Sequence, residues 1–214
     1  YLLSQIDHPL VLGLDEIDRI FQYPDIAEDF LGLLRAWHEE SKRRAIWKKL
    51  RLLVVHSTEV YIPMNINQSP FNVGLPIDLP EFNPQQVKDL ASRHNLNWSE
   101  QEVEKLMAIV GGHPYLVRVA LYHISKQDLT LEDLPANVMS ETGIYSDHLR
   151  RHLWNLEEYP ELVTAMRNII SENSREHLTG ILGFKLDSLG LVKWRGNKYY
   201  PRCELYSQYF QVHL

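Results

Sequence analysis

Three carboxylates, Asp15, Glu16 and Asp18, fall within four residues, directly after the apolar run Leu10–Leu14. Acids in this arrangement suit two tasks: holding a divalent cation, usually through water, and orienting or deprotonating a water for attack on a phosphate. A short run of Val and Leu reads as a fully buried parallel strand. In an open parallel sheet, ligands bind beyond the carboxyl ends of the strands, where Asp15 and Glu16 would stand. The same acids would serve equally to leave a strand and cap the next helix, so both readings stay open on this stretch alone.

The surrounding elements are those such a site needs. Pro24 sits at a first helical position, and Ile26, Phe30, Leu33, Leu34 and Trp37 recur at helical spacing. Leu52–Val55 forms a second apolar strand, ending in His56-Ser57-Thr58-Glu59. Strand, helix and strand in this order predict a βαβ unit. From Tyr61 to Glu81 the signal is loop, with Pro63, Pro70, Pro76 and Pro80. Helices resume at the Asn83-Pro84 cap, at the capping box of Ser99 and Glu102, and at Pro114 after Gly111-Gly112. Further helices are expected over Pro160–Ile170 and Ile181–Leu189. A hairpin around Gly196-Asn197 and a last helix on Leu205, Tyr209 and Phe210 complete the chain, and helices followed by a hairpin is the order of a winged helix.

The acids after "LVLGL" resemble the Walker B element of AAA-type NTPases, which makes Asp15 the magnesium-associated acid and Glu16 the catalytic base. "LRLLVVHSTE" resembles the sensor strand of the same families, with Ser57 or Thr58 near the γ-phosphate and attacking water; Ser and Thr also end many ordinary strands. "GGHPYLVR" resembles the Gly-x-Pro element of STAND-type ATPases, where that loop packs on adenine. The resemblance sets Gly112, His113 and Pro114 against the base, beside the simpler reading of Gly ending one helix and Pro starting the next. With "NQSPFNVGLPI", these phrases are similar to AAA-like domains of large bacterial signalling proteins. The implied fold class is α/β: a partial parallel-sheet P-loop NTPase core over residues 1–80, a helical lid over 81–140 and a winged-helix domain over 141–214. The implied cofactors are Mg²⁺ and ATP or ADP.

No Gly-x-x-x-x-Gly-Lys-Ser/Thr occurs among the 214 residues. That loop supplies the backbone N–H groups and the Lys that hold phosphates. The resemblance places it upstream of the Walker B strand, so the chain reads either as the later part of a longer protein or as one that has lost nucleotide binding. The expected partners are that N-terminal half, fused effector domains and further copies of the chain. Alone, the chain is expected neither to bind ATP tightly nor to hydrolyse it. The γ-phosphate cation is not assigned: Asn72-Val73 stands where related ATPases carry an arginine ending, and Arg118 is a candidate.

The net charge of −6 excludes the chain as a whole from electrostatic nucleic-acid binding. Lys185, Lys193, Arg195, Lys198 and Arg202, interleaved with Trp194, Tyr199 and Tyr200, leave a local DNA contact as an alternative, although a solvated hairpin is the preferred reading. A protein-interaction scaffold whose acids do no chemistry is the third. Cys203 is the only cysteine, which excludes a disulfide framework and fits a reducing cytoplasm. The apolar runs are far shorter than the roughly 20 residues a membrane span needs. His38-Glu39-Glu40 has no second His at metalloprotease spacing, the ten histidines read as scattered, and Cys203 has no nearby base in sequence.

Overall fold

The computed structural model describes residues 1–56, 73–77, 79–171 and 180–214. Ser57, Thr58 and most of the expected loop after Tyr61 lie outside the described residues. The chain divides into two compact units, Tyr1–Asp78 and Leu79–Leu214. Among the described residues it is an α/β chain, mostly helical, with one two-stranded sheet in each unit.

In the first unit, a short helix α1 (Leu2–Gln5) precedes β1 (Leu10–Leu14), α2 (Pro24–Arg43) and β2 (Leu50–Val54). β1 and β2 pair in parallel, with Leu10 opposite Leu50 and Leu14 opposite Val54. α2 is the crossover. Pro24 occupies its first turn, and Lys42 and Arg43 stand at its end, where cations offset the helix dipole. Ala27, Leu31 and Leu34 recur at helical spacing and are fully buried, with Leu14, Leu52 and Val54 packed against their cluster.

One expectation is corrected here. β1 is not fully buried: inward and outward residues alternate along both strands. Val11 is 64% exposed and Leu53 is 53% exposed. The cause is that β1 and β2 have no other strand partner among the described residues, and the buried cluster of this unit, built from α2, Ile17 after β1 and the inward strand residues, lies on one face only.

The second unit holds α3 (Pro84–Arg93), α4 (Glu100–Val110), α5 (Pro114–Ser125), α6 (Leu134–Val138), α7 (Ser146–Glu157), α8 (Pro160–Ile170) and α9 (Gly180–Ser188). The hairpin β3 (Val192–Arg195) and β4 (Lys198–Pro201) and a final helix, α10 (Glu204–His213), follow. The local signals act as their chemistry demands. Asn83 and Gln86 exchange hydrogen bonds at the start of α3, as Ser99 and Glu102 do at α4. Gly196 and Asn197 both take positive φ, which suits a two-residue turn to the twist of the hairpin. Tyr199 lies on Gly183, where a Cβ would fall 1.9 Å from its ring. A single apolar cluster runs from Val87 on α3 through Leu106, Leu149 and Met166 to Phe210 on α10. Complete burial of a side chain such as Phe210 contributes roughly 1.5–3 kcal/mol.

Candidate functional site

In the first unit, the chain leaves β1 by a route that fixes the acids. Val55 N donates to Leu14 O (2.8 Å) and Ile17 N donates to Val55 O (3.1 Å), so the segment after β1 folds over the end of β2. Between these anchors Glu16 adopts a left-handed backbone, φ 51° and ψ 40°, which a residue with a Cβ rarely takes. Asp15 Oδ1 accepts from the Glu16 amide at 2.9 Å, and a 3-10 helix begins at Ile17. Both acids stand exposed at the carboxyl edge of the parallel pair while Ile17 turns inward. The Glu16 carboxylate meets Arg19 Nη1 at 3.1 Å, in an exposed pair that contributes little to stability.

The donor set here suits a magnesium ion carried by phosphates rather than one held by protein alone. Mg²⁺ in such complexes takes one or two carboxylates, often through water, and fills its other positions with water and phosphate oxygens. Asp15 supplies one exposed carboxylate. No group of three or more His, Cys, Asp or Glu among the described residues is placed to hold a metal.

Gly112, His113 and Pro114 belong to the second unit, where they form a packed junction. Phe82 N donates to Gly112 O at 2.8 Å, and a Cβ on Gly112 would fall 2.1 Å from Phe82 O. Only glycine admits that approach. Gly111, with φ 62°, ends α4 and lies over Cys203 and Arg202. Pro114 opens α5, whose exposed side carries Tyr115, Arg118 and Tyr122.

The same junction gathers groups that the sequence reading passed over. Glu81 Oε1 accepts from Arg202 Nε at 2.8 Å, and Glu81 Oε2 lies 3.9 Å from Lys193 Nζ. Burial, opposed by Glu81, lowers the Lys193 pKa. A cleft of about 800 Å³ opens beside these cations, lined among others by Met107, Gly111, Arg195 and Ser207. His113 also faces His148 on α7, which packs edge-on against His152, so these three of the ten histidines are not scattered. The helix that carries two of them was missed; the His-x-x-x-His spacing of 148 and 152 was its visible signal.

Other readings close. The Cys203 thiol is buried and pushed up to about 12, chiefly by desolvation, so it is no nucleophile. Glu39 and Glu40 pair along α2 with Lys42 and Arg44, as surface helix residues do. No helix among the described residues is long and apolar enough to cross a membrane.

The family model for an AAA-like domain matches residues 1–212. Among solved structures the chain is similar to a Walker-type ATPase of Pyrococcus abyssi, with a TM-score of 0.60 and 13% sequence identity. That likeness is one of fold. It covers 98% of this chain and 65% of the archaeal one, so the chain spans under two thirds of that protein's length. A search of curated proteins finds no match.

Proposed function

This chain belongs to the AAA-like domain family, and from that premise we propose that it is part of a nucleotide-dependent signalling switch of the STAND type. The observation that carries the reading is the exit of Asp15 and Glu16, both in solvent, from the carboxyl edge of a parallel strand pair. That edge is where open parallel sheets receive ligands.

Asp15 would hold Mg²⁺ through water, and the ion, bound with ATP or ADP, would offset phosphate charge at this edge. Glu16 would orient the attacking water and take its proton, which requires the carboxylate to leave Arg19. Its left-handed backbone is a local cost that suits a positioned group. By resemblance to the family, Ser57 or Thr58 would serve the γ-phosphate, and Gly112, His113 and Pro114 the adenine.

The phosphate-binding loop comes from a segment outside this chain. The bare face of β1 and β2, with Val11 and Leu53 in solvent, supports that reading, because parallel sheets are ordinarily covered on both faces. Residues 1–80 form part of the core, residues 81–140 a helical lid and residues 141–214 a winged helix. ADP holds the winged helix closed; ATP and a partner signal release it, in the cytoplasm, for self-assembly and control of fused effector domains. The alternative of DNA binding through the hairpin is weakened by Glu81, which already shares its carboxylate between Lys193 and Arg202.

Isothermal titration with Mg-ATP tests the reading. The chain alone is expected to show no micromolar affinity, whereas the longer polypeptide binds and loses magnesium-dependent affinity on Asp15→Asn. Tight binding by the chain alone, or no binding by a well-folded longer form, overturns it.

A further inference from the structure

Three imidazoles meet inside the second unit. His148 and His152 are four residues apart on α7 and share one face of it, with ring centroids 4.5 Å apart. His113, from the turn ahead of α5, places its ring 5.9 Å from that of His148. Tyr206 on α10 closes the group: its hydroxyl and His148 Nε2 are hydrogen bonded at 2.8 Å. Tyr115 on α5 tilts against His148 at 5.0 Å. Imidazoles from the cap of α5 and from α7 thus meet a phenol of α10.

The seam is poorly prepared for charge. Nδ1 of His113 and Nδ1 of His152 are buried with no hydrogen-bond partner among the described residues. The charged groups acting on the cluster are Arg151 on α7, beside His148 and His152, and Arg202 after β4, beside His113. Glu81 is the acid acting on His113, and it is already engaged by Arg202 and Lys193. The other titratable neighbours are the phenols of Tyr115 and Tyr206 and the buried Cys203 thiol, which acts on Tyr206 together with Arg202 and Glu81. A proton added to His148 or His152 enters a desolvated region where the charged side chain acting on it is the cationic Arg151. Burial first, and the neighbouring cations and imidazoles second, push His148 down to about 3 and His152 down to about 4, and lower His113 too.

We propose that the seam of His113, His148, His152 and Tyr206 is a proton-sensitive fastening: neutral, it clamps α10 to α5 and α7, and protonated, it releases α10.

Linkage fixes the direction. A histidine freed to solvent takes up its proton near pH 6.5, whereas in the seam His152 stays neutral to about 4 and His148 to about 3. Between these limits the released state binds more protons than the closed one. Stability is therefore fully present above pH 6.5 and falls as the pH drops toward 4. Each such histidine shifts the equilibrium about tenfold per pH unit within that window, and His148 with His152 about a hundredfold.

The test is denaturant unfolding of the chain from about pH 7.5 down to about pH 5, for the wild type and for His148→Gln with His152→Gln. The wild type is expected to lose up to about a hundredfold more in its folding constant per pH unit than the double variant. Parallel pH profiles overturn the proposal. Should the double variant not fold, ring NMR of the wild type decides. His148 and His152 are expected to show no titration down to about pH 5 while the native fold persists, with α10 amides the first to lose exchange protection on acidification. Titration of both rings near pH 6.5 in the native state overturns it. Added Zn²⁺ at neutral pH is expected to leave stability unchanged; a zinc-dependent gain lost in the double variant would overturn the proposal in favour of a metal site.

Discussion

Glu81 and Arg202 lie 121 residues apart in sequence and meet at 2.8 Å, where the first turn-free stretch of the second unit crosses the end of the hairpin. Their side chains are 27% and 28% exposed, so solvent screens the pair only in part. Lys193 shares the same carboxylate. One acid thus joins two cations from β3 and the residue after β4 to the segment that Gly112 also holds.

Removing that acid leaves two cations facing each other. Glu81→Gln is expected to lower stability by about 1–2 kcal/mol. Urea unfolding of Glu81→Gln, Arg202→Gln and the pair measures the coupling, expected above about 0.5 kcal/mol. Additive single effects would reduce the contact to surface decoration.

Gly112→Ala is expected to cost at least about 2 kcal/mol, because its Cβ would meet Phe82 backbone rather than a side chain able to yield. Gly32→Ala is the control, since a Cβ there meets nothing within 4 Å. A mild effect at Gly112 would show that the turn has room the geometry denies.

Glu16→Gly is expected to raise stability by about 1 kcal/mol by removing the Cβ from a left-handed backbone. The exposed Arg19 pair lost with it weighs little against that gain. A destabilised Glu16→Gly would make the acid a structural cap, and the catalytic reading would lose its rationale for the strain.

The Cys203 thiol, at about 12 against an ordinary 9, holds about a thousandfold less thiolate than a free cysteine at the same pH. Alkylation of the folded chain at mild alkaline pH is expected to be slow, and rapid once denaturant exposes the thiol. Fast labelling of the native chain would contradict its burial.

What was legible in the sequence was local chemistry. Ser99 with Glu102, and Gly196 with Asn197, carry their structural consequence within a few residues, so α4 and the hairpin could be read directly. α7 could not. Leu149, Leu153 and Leu156 keep a helical spacing, but its N-cap Tyr145 makes no side-chain cap that would mark where it starts. The outward face of β1 was misread because Val and Leu suit a covered strand and an uncovered one alike. Asp15 and Glu16 were visible as residues at a strand end, but the left-handed turn at Glu16 lies between two hydrogen bonds to Val55, a residue distant in sequence. Contacts such as Glu81 with Arg202, or His113 with His148, join distant segments and leave no local pattern.

The central claim concerns Glu16, and one measurement reaches it most directly: Mg-ATP turnover by the longer polypeptide, compared with its Glu16→Gln variant, with binding followed in parallel. The account predicts that the variant binds ATP as the wild type does and turns it over at least about a hundredfold more slowly, as loss of a general base requires. Equal turnover in a variant that binds normally would contradict it, and the acids after β1 would then be structural.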